Sequence, residues 1–167
     1  MKKIFCIILA LLTVTLISCD KGEERIEHTA EMNVEFITEK KDAFDALEIL
    51  DATVVYQSGG ENTLDADYFE YYFGDATLFD EVTEYLYYTS AEVSVCEVGL
   101  FRVNADAKEK MYQGAEHRRD TLSLTFEPYS KTDAEIADGM EIGIIDDVVW
   151  FVATSDNTPV VNVIIPE

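Results

Sequence analysis

Three cysteines and a band of tyrosines and acids hold most of the reactive side chains in this 167-residue chain. Leu16-Ile17-Ser18-Cys19 closes an uncharged apolar run of 14 residues, Ile4 to Ile17, that follows Met1-Lys2-Lys3. A cysteine placed there, behind a small residue, suits thioether attachment of diacylglycerol followed by cleavage, just before the modified cysteine, by lipoprotein signal peptidase. The run is short for a permanent span, which needs roughly 20 apolar residues. It also lacks the A-x-A-like end of an ordinary secretory leader. Two acyl chains hold stably where one binds only marginally, each buried methylene contributing about 0.8 kcal/mol. Cys19 is therefore the expected lipid attachment site, and residues 1–18 the signal peptide.

Cys6 leaves with the leader and Cys19 takes lipid, so Cys96 is the one thiol of the mature chain and no intramolecular disulfide can form. Its nearest charged neighbours in sequence are Glu92 and Glu97. These would oppose the thiolate that a nucleophile needs, so Cys96 reads as a core residue.

Asp65, Asp67 and Glu70 offer clustered carboxylates for a hard cation. However, a 12-residue calcium loop begun at Asp65 would place Glu70 where Gly is required and Ala76 where a bidentate Glu is required. Capping of a short helix by Asp65 is the simpler account. Tyr68, Tyr71, Tyr72, Tyr85, Tyr87 and Tyr88 could line a platform for wall glycans or peptides, or pack the edge of a core. Tyr68, Tyr71, Tyr72, Tyr85 and Tyr87 are the binding candidates. The chain contains no G-x-S-x-G, P-loop, H-E-x-x-H or S-x-x-K motif, and His117 and Cys96 are the lone residues of their types in the domain. No catalytic residue, cofactor or metal site is assigned.

Removing residues 1–18, which carry two lysines and no acid, leaves 149 residues with a formal charge of −24 against −22 for the whole chain. That is one domain and a tether. Such a surface repels nucleic-acid phosphates and gains nothing from anionic headgroups. Residues 42–101 hold fourteen acids, most of the aromatics, and no Lys, Arg or His. This segment is either a solvated exterior that keeps the protein soluble or a surface for a cationic partner.

Positioning these residues requires a set of elements. Residues 19–32 read as a lipidated, polar tether that includes His28 as a solvated residue, and 33–167 as a single domain. Lys40 to Leu50 predicts a helix from Phe44, Leu47 and Leu50, and Gln57–Asn62 a turn. Asp65 and Gly74 bracket a second helix. Val82–Thr89 and Val93–Val103 predict an antiparallel hairpin. Asn104 is expected to cap a long helix reaching about Phe126, and Ser130 a short one stopped by Gly139. Met140–Ile145 and Val148–Thr154 flank the tip Asp146-Asp147 of a second hairpin. Pro159–Ile165 suits an edge strand or a short helix. The order β-β-α-β-β predicts an α+β, two-layer fold: an antiparallel sheet of about four strands with helices mainly on one face.

The run Glu97-Val98-Gly99-Leu100-Phe101-Arg102, the helix carrying Glu116-His117-Arg118-Arg119, then Phe126-Glu127-Pro128-Tyr129 and the final hairpin resemble small lipoproteins of Gram-positive bacteria. These carry a domain of unknown function (domain-of-unknown-function family 4358). The likeness spans roughly Tyr68 to Asn157 and the leader, and departs from the family pattern at Ser130-Lys131 and Asp146-Asp147. It implies anchoring and a domain, and brings no activity or catalytic residue.

The sequence thus predicts a lipid-anchored protein on the extracytoplasmic face of the cell membrane, acting as a non-enzymatic binding or interaction module. Its partners would be the membrane, through Cys19, and a cationic protein, wall component or small ligand, with no nucleic acid. The alternatives are an envelope hydrolase using paired carboxylates, or an accessory solute-binding lipoprotein.

Overall fold

Val148-Val149-Trp150-Phe151-Val152-Ala153 has no polar position, and the strand it forms, β6, is buried along its whole length. An unbroken apolar run of this length signals a strand covered on both faces. The computed structural model describes residues 26–28 and 36–165. Cys19, the leader and most of the expected tether lie outside the described residues.

In chain order the elements are β1 (Ile26–His28), α1 (Phe36–Asp45), β2 (Thr53–Gln57), α2 (Ala66–Phe73), β3 (Val82–Ser90) and β4 (Glu97–Val103). There follow α3 (Lys108–Phe126), α4 (Lys131–Asp138), β5 (Glu141–Ile145), β6 (Val148–Ala153) and α5 (Thr158–Ile164). Short 3-10 segments stand at Glu48–Leu50, Ala76–Glu81 and Ala105–Ala107. The sheet order is β1-β5-β6-β4-β3-β2, with β2 to β6 antiparallel and β1 parallel to β5.

The α+β class holds, and the expected hairpins form the centre of the sheet. Two strands extend it. β2 pairs with β3 through Val54 opposite Thr89 and Tyr56 opposite Tyr87. β1 pairs with β5 from Ile26 opposite Gly143, inside the segment expected to be a solvated tether. The outer edge of β2 is closed by its own turn: Gln57 N–H donates to Asn62 O, and the Asn62 amide donates to Val55 O. Edge strands need such blunting against pairing with another chain.

Side chains alternate across the strands. Tyr85, Tyr87, Phe101, Val149 and Phe151 enter one core with Phe69 and Phe73 of α2 and Met111 and Leu122 of α3. Leu86, Tyr88, Leu100, Val148 and Trp150 enter the other with Ile37 and Phe44 of α1 and Val160 and Ile164 of α5. The larger helical layer lies on the first face, and α1 with α5 covers the second. Both Tyr85/Tyr87 and Leu86/Tyr88 are therefore buried. Full burial of such side chains contributes about 1.5–3 kcal/mol each. The sheet admits its largest rings through glycine: a Cβ on Gly99 would lie 2.4 Å from the Phe151 ring, and one on Gly143 2.4 Å from Trp150.

Local signals account for several boundaries. The Asp65 carboxylate accepts from Tyr68 N–H at 2.9 Å, and Gly74 ends α2 in the left-handed region (φ 76°). Ser130 Oγ accepts from Asp133 N–H to open α4, and Gly139 closes it. At the tip of the second hairpin Asp146 takes φ 52°, which Asp tolerates better than most residues.

Other boundaries differ from expectation. α1 begins earlier and ends at Asp45, with only a 3-10 turn reaching Leu50. β4 starts at Glu97 rather than Val93, because Val95 N–H donates to the Asp133 carboxylate instead of to β3. Asn104 does not cap through its side chain, which donates to Glu81 at 2.9 Å, and α3 opens after the 3-10 turn. The C-terminal segment is a helix with Pro near its start, where the missing N–H is harmless.

Candidate binding surface

α2 is one short amphipathic helix fixed at both ends, and its spacing sorts its aromatic residues. Phe69 and Phe73 point into the core, Tyr68 and Tyr72 lie half-buried on its flank, and Tyr71 is 74% exposed. Tyr68 and Tyr72, one turn apart, stack with ring centres 4.1 Å apart. Tyr71 meets Tyr72 edge-on at 4.9 Å, and Tyr56 of β2 extends the row, 5.4 Å from Tyr68. Offset and edge-on contacts of this kind contribute about 0.5–1.5 kcal/mol beyond burial.

A charge pair backs the row. The Arg118 guanidinium of α3 lies 4.3 Å from the centre of the Tyr72 ring. Its Nε–H donates to Glu97 Oε2 at 3.0 Å, while a second N–H binds Oε1 of the same carboxylate. Thr89 Oγ1 also donates to Glu97 Oε1 at 3.3 Å. Burial works to lower the Arg118 pKa, but the Glu97 hydrogen bonds and charge override it and raise it. The guanidinium stays charged, sandwiched between ring and carboxylate. Desolvation pushes the Tyr68 and Tyr87 phenols upward, so both are neutral at ordinary pH.

Tyr68, Tyr71 and Tyr72 are thus brought together at the surface, and Tyr56 joins them although the sequence did not single it out. Tyr85 and Tyr87 do not belong to that surface. Tyr87 packs beneath the row, 6.3 Å from Tyr68, and the Tyr85 hydroxyl accepts from Leu64 N–H at 2.8 Å. Both are buried in the core shared with Phe69 and Phe73, so neither presents a face to a ligand. Tyr88, on the other face, donates its hydroxyl to Asp45 at 2.7 Å.

Asp67 and Glu70 are exposed on the same helix as the rings. Stacking on a planar or sugar face, and attraction of a cation, are the interactions this arrangement offers.

Two further positions bear on chemistry. A shallow surface cavity of about 220 Å³ is lined by Asp45, Leu50, Asp51, Thr53, Val55 and Tyr88. Partial burial tends to raise the Asp45 pKa, but hydrogen bonds from Lys41 and Tyr88 prevail and lower it. Asp45 is thereby held as an anion and is unfit to act as a general acid. Cys96 is half-buried and donates to Ile49 O at 3.4 Å. Burial, reinforced by Glu97, pushes its thiol up to about 11. Among the described residues no group of three or more His, Cys, Asp or Glu could hold a metal ion, and no helix is long and apolar enough to cross a membrane.

A family model described as a domain of unknown function (DUF4358) matches residues 61–154. The match encloses α2, the Glu97–Arg118 pair and both hairpins, and leaves out α1, β2 and α5. No curated protein and no solved structure matches the chain.

Proposed function

Because this chain belongs to the DUF4358 family, whose description assigns no activity, we propose its role from its own residues: a lipid-anchored, extracytoplasmic interaction module that recognises its partner without catalysis. The observation carrying the recognition half is the surface row Tyr56, Tyr68, Tyr72 and Tyr71, braced from behind by Arg118 and flanked by Asp67 and Glu70. Rigid aromatic side chains lose little entropy on binding, and an acidic setting favours a cationic ligand. A Lys- or Arg-bearing peptide is the ligand class that satisfies both features. The anchoring half rests on Leu16-Ile17-Ser18-Cys19 behind the charged and apolar leader.

Titrating the domain with short Lys-rich peptides, followed by amide shifts in solution, tests recognition. Saturable shifts centred on α2 are expected, and Tyr71→Ser should weaken them about tenfold without unfolding the domain. Shifts spread over the acidic surface and indifferent to Tyr71 would reduce the effect to bulk charge. Anchoring is tested separately by labelled-lipid incorporation, which Cys19→Ala should abolish while leaving an uncleaved precursor.

A further inference from the structure

The direction of β1 decides which end of the domain lies nearest Cys19. β1 runs parallel to β5 and begins at Ile26, opposite Gly143. The chain therefore enters the sheet from the end where β5 starts at Glu141 and β6 finishes at Ala153. Glu97 pairs with Ala153, so the β3–β4 connection, residues 91–96, is at this same end. α3 leaves the opposite end after Asn104 and runs back for 19 residues, about 28 Å at 1.5 Å per residue. β4, with seven residues, covers only about 23 Å. The α3–α4 corner consequently projects past the sheet beside that connection, and Asp133 of α4 accepts from Val95 N–H at 2.9 Å.

Large apolar side chains are exposed at this end. Val93 in the β3–β4 connection is 91% exposed, Leu124 in the last turns of α3 is 71% exposed, and Tyr129 in the α3–α4 corner is 84% exposed. The side chains of Val93 and Leu124 lack any polar group. The other end carries the Asp146-Asp147 tip with Asp80, Glu81 and Asp106 close to the same strand ends.

Cys19 stands seven residues before Ile26, so its Cα lies within about 25 Å of that of Ile26 even if the chain is fully extended. Passing the three residue levels from Gly143 to the end of the sheet, marked by Leu100 and Glu97 on β4, uses about 10 Å of this reach. With the chain continuing in the direction from which β1 enters, a lipid on Cys19 would hold this end within about 15 Å of the bilayer.

We propose that the end formed by Val93, Leu124 and Tyr129 is a membrane-facing foot that rests in the interface of the bilayer holding the Cys19 lipid. The proposal depends on the anchoring read from the leader. The foot is apolar and aromatic; Glu92 and Glu127 stand beside it, and the exposed Lys131 of the same corner is paired with Glu135. It therefore works through shallow apolar contact at the high local concentration that the anchor imposes, with no help from anionic lipid. Tyrosine suits that level of a membrane, where one end of the ring is dry and the other wet.

The test uses the lipidated protein with Cys96→Ala, carrying an environment-sensitive dye on Val93→Cys, Leu124→Cys or, at the far end, Asp146→Cys. Each is bound to phosphatidylcholine vesicles containing a headgroup-level nitroxide lipid, and flotation is scored in the same samples. The dyes at 93 and 124 should be quenched severalfold more than the dye at 146. Tyr129→Glu should reduce quenching at 93 while flotation is unchanged, and added phosphatidylglycerol should weaken it. Protein that fails to float overturns the anchoring and the foot together. Protein that floats with equal quenching at all three positions, or whose dye response follows protein density and not lipid, overturns the foot alone.

Discussion

Arg118 of α3 grips the carboxylate of Glu97 of β4 with two N–H groups, and both side chains are almost wholly removed from solvent. The pair joins the long helix to a central strand and fixes the guanidinium beneath Tyr72. A buried pair of this kind balances large desolvation against a strong short-range attraction. Removing one member leaves the other charged, desolvated and unmatched.

Glu97→Met or Arg118→Leu should each destabilise the domain by about 3–5 kcal/mol. The double replacement Glu97→Met with Arg118→Leu should recover most of that loss, because no orphan charge is left in the core. Urea unfolding of the four proteins measures the cycle. Additive single-mutant losses would show that the two side chains act independently.

The caps were legible because they are local. Asp65, Gly74, Ser130 and Gly139 lie within a turn of the groups they satisfy. The Asp146-Asp147 tip was legible for the same reason. Thr53–Gln57 was not read as a strand, since its state is settled by pairing with Leu86–Ser90, some thirty residues away. Glu97 and Arg118 are 21 residues apart on a strand and a helix, so their meeting depends on how α3 is rotated over the sheet. Alternation correctly separated Tyr85 and Tyr87 from Leu86 and Tyr88. Which tyrosines remain accessible depended on two helical layers, and the second includes the segment after Asn157 that suited strand or helix equally.

Gly99 and Phe151 face each other across β4 and β6. A methyl group on Gly99 would sit 2.4 Å from two atoms of the Phe151 ring and 2.7 Å from Phe101. Rings packed at crystal-like density on both sides have nowhere to go. Gly99→Ala should therefore destabilise by about 1–3 kcal/mol through overpacking. Combining it with Phe151→Leu should cost less than the sum of the two single changes. Thermal melts of the three variants decide this, and strict additivity would contradict the steric account.

Asp75 contributes a pH dependence whose sign follows from its partners. Its carboxylate lies 2.8 Å from Lys110 Nζ and accepts from Thr77 N–H at 2.8 Å. The Lys110 hydrogen bond, followed by those from Thr77, holds its pKa at about 2 against an ordinary 3.8. A lowered folded-state pKa adds stability that is complete above about pH 4 and fades as the pH falls toward 2. Asp75→Asn should flatten the acid limb of stability against pH in that window and leave the slope above pH 5 unchanged. Because the pair is exposed, added salt should shrink the difference between wild type and variant.

Cys96 tests the packing of α1's end against the sheet. Its thiol, pushed up to about 11, lies some hundredfold further from ionisation than the ordinary 9.0 would place it. Alkylation requires the thiolate, so iodoacetamide at pH 8 should modify the native protein at least about 100-fold more slowly than the urea-unfolded chain. The contact with Ile49 O makes the rate sensitive to the 3-10 turn at Glu48–Leu50. Leu50→Ala, which removes a buried side chain from that turn, should speed native-state alkylation by loosening the cover without altering the unfolded rate. Equal native and unfolded rates in the wild type would mean that the turn does not shield the thiol.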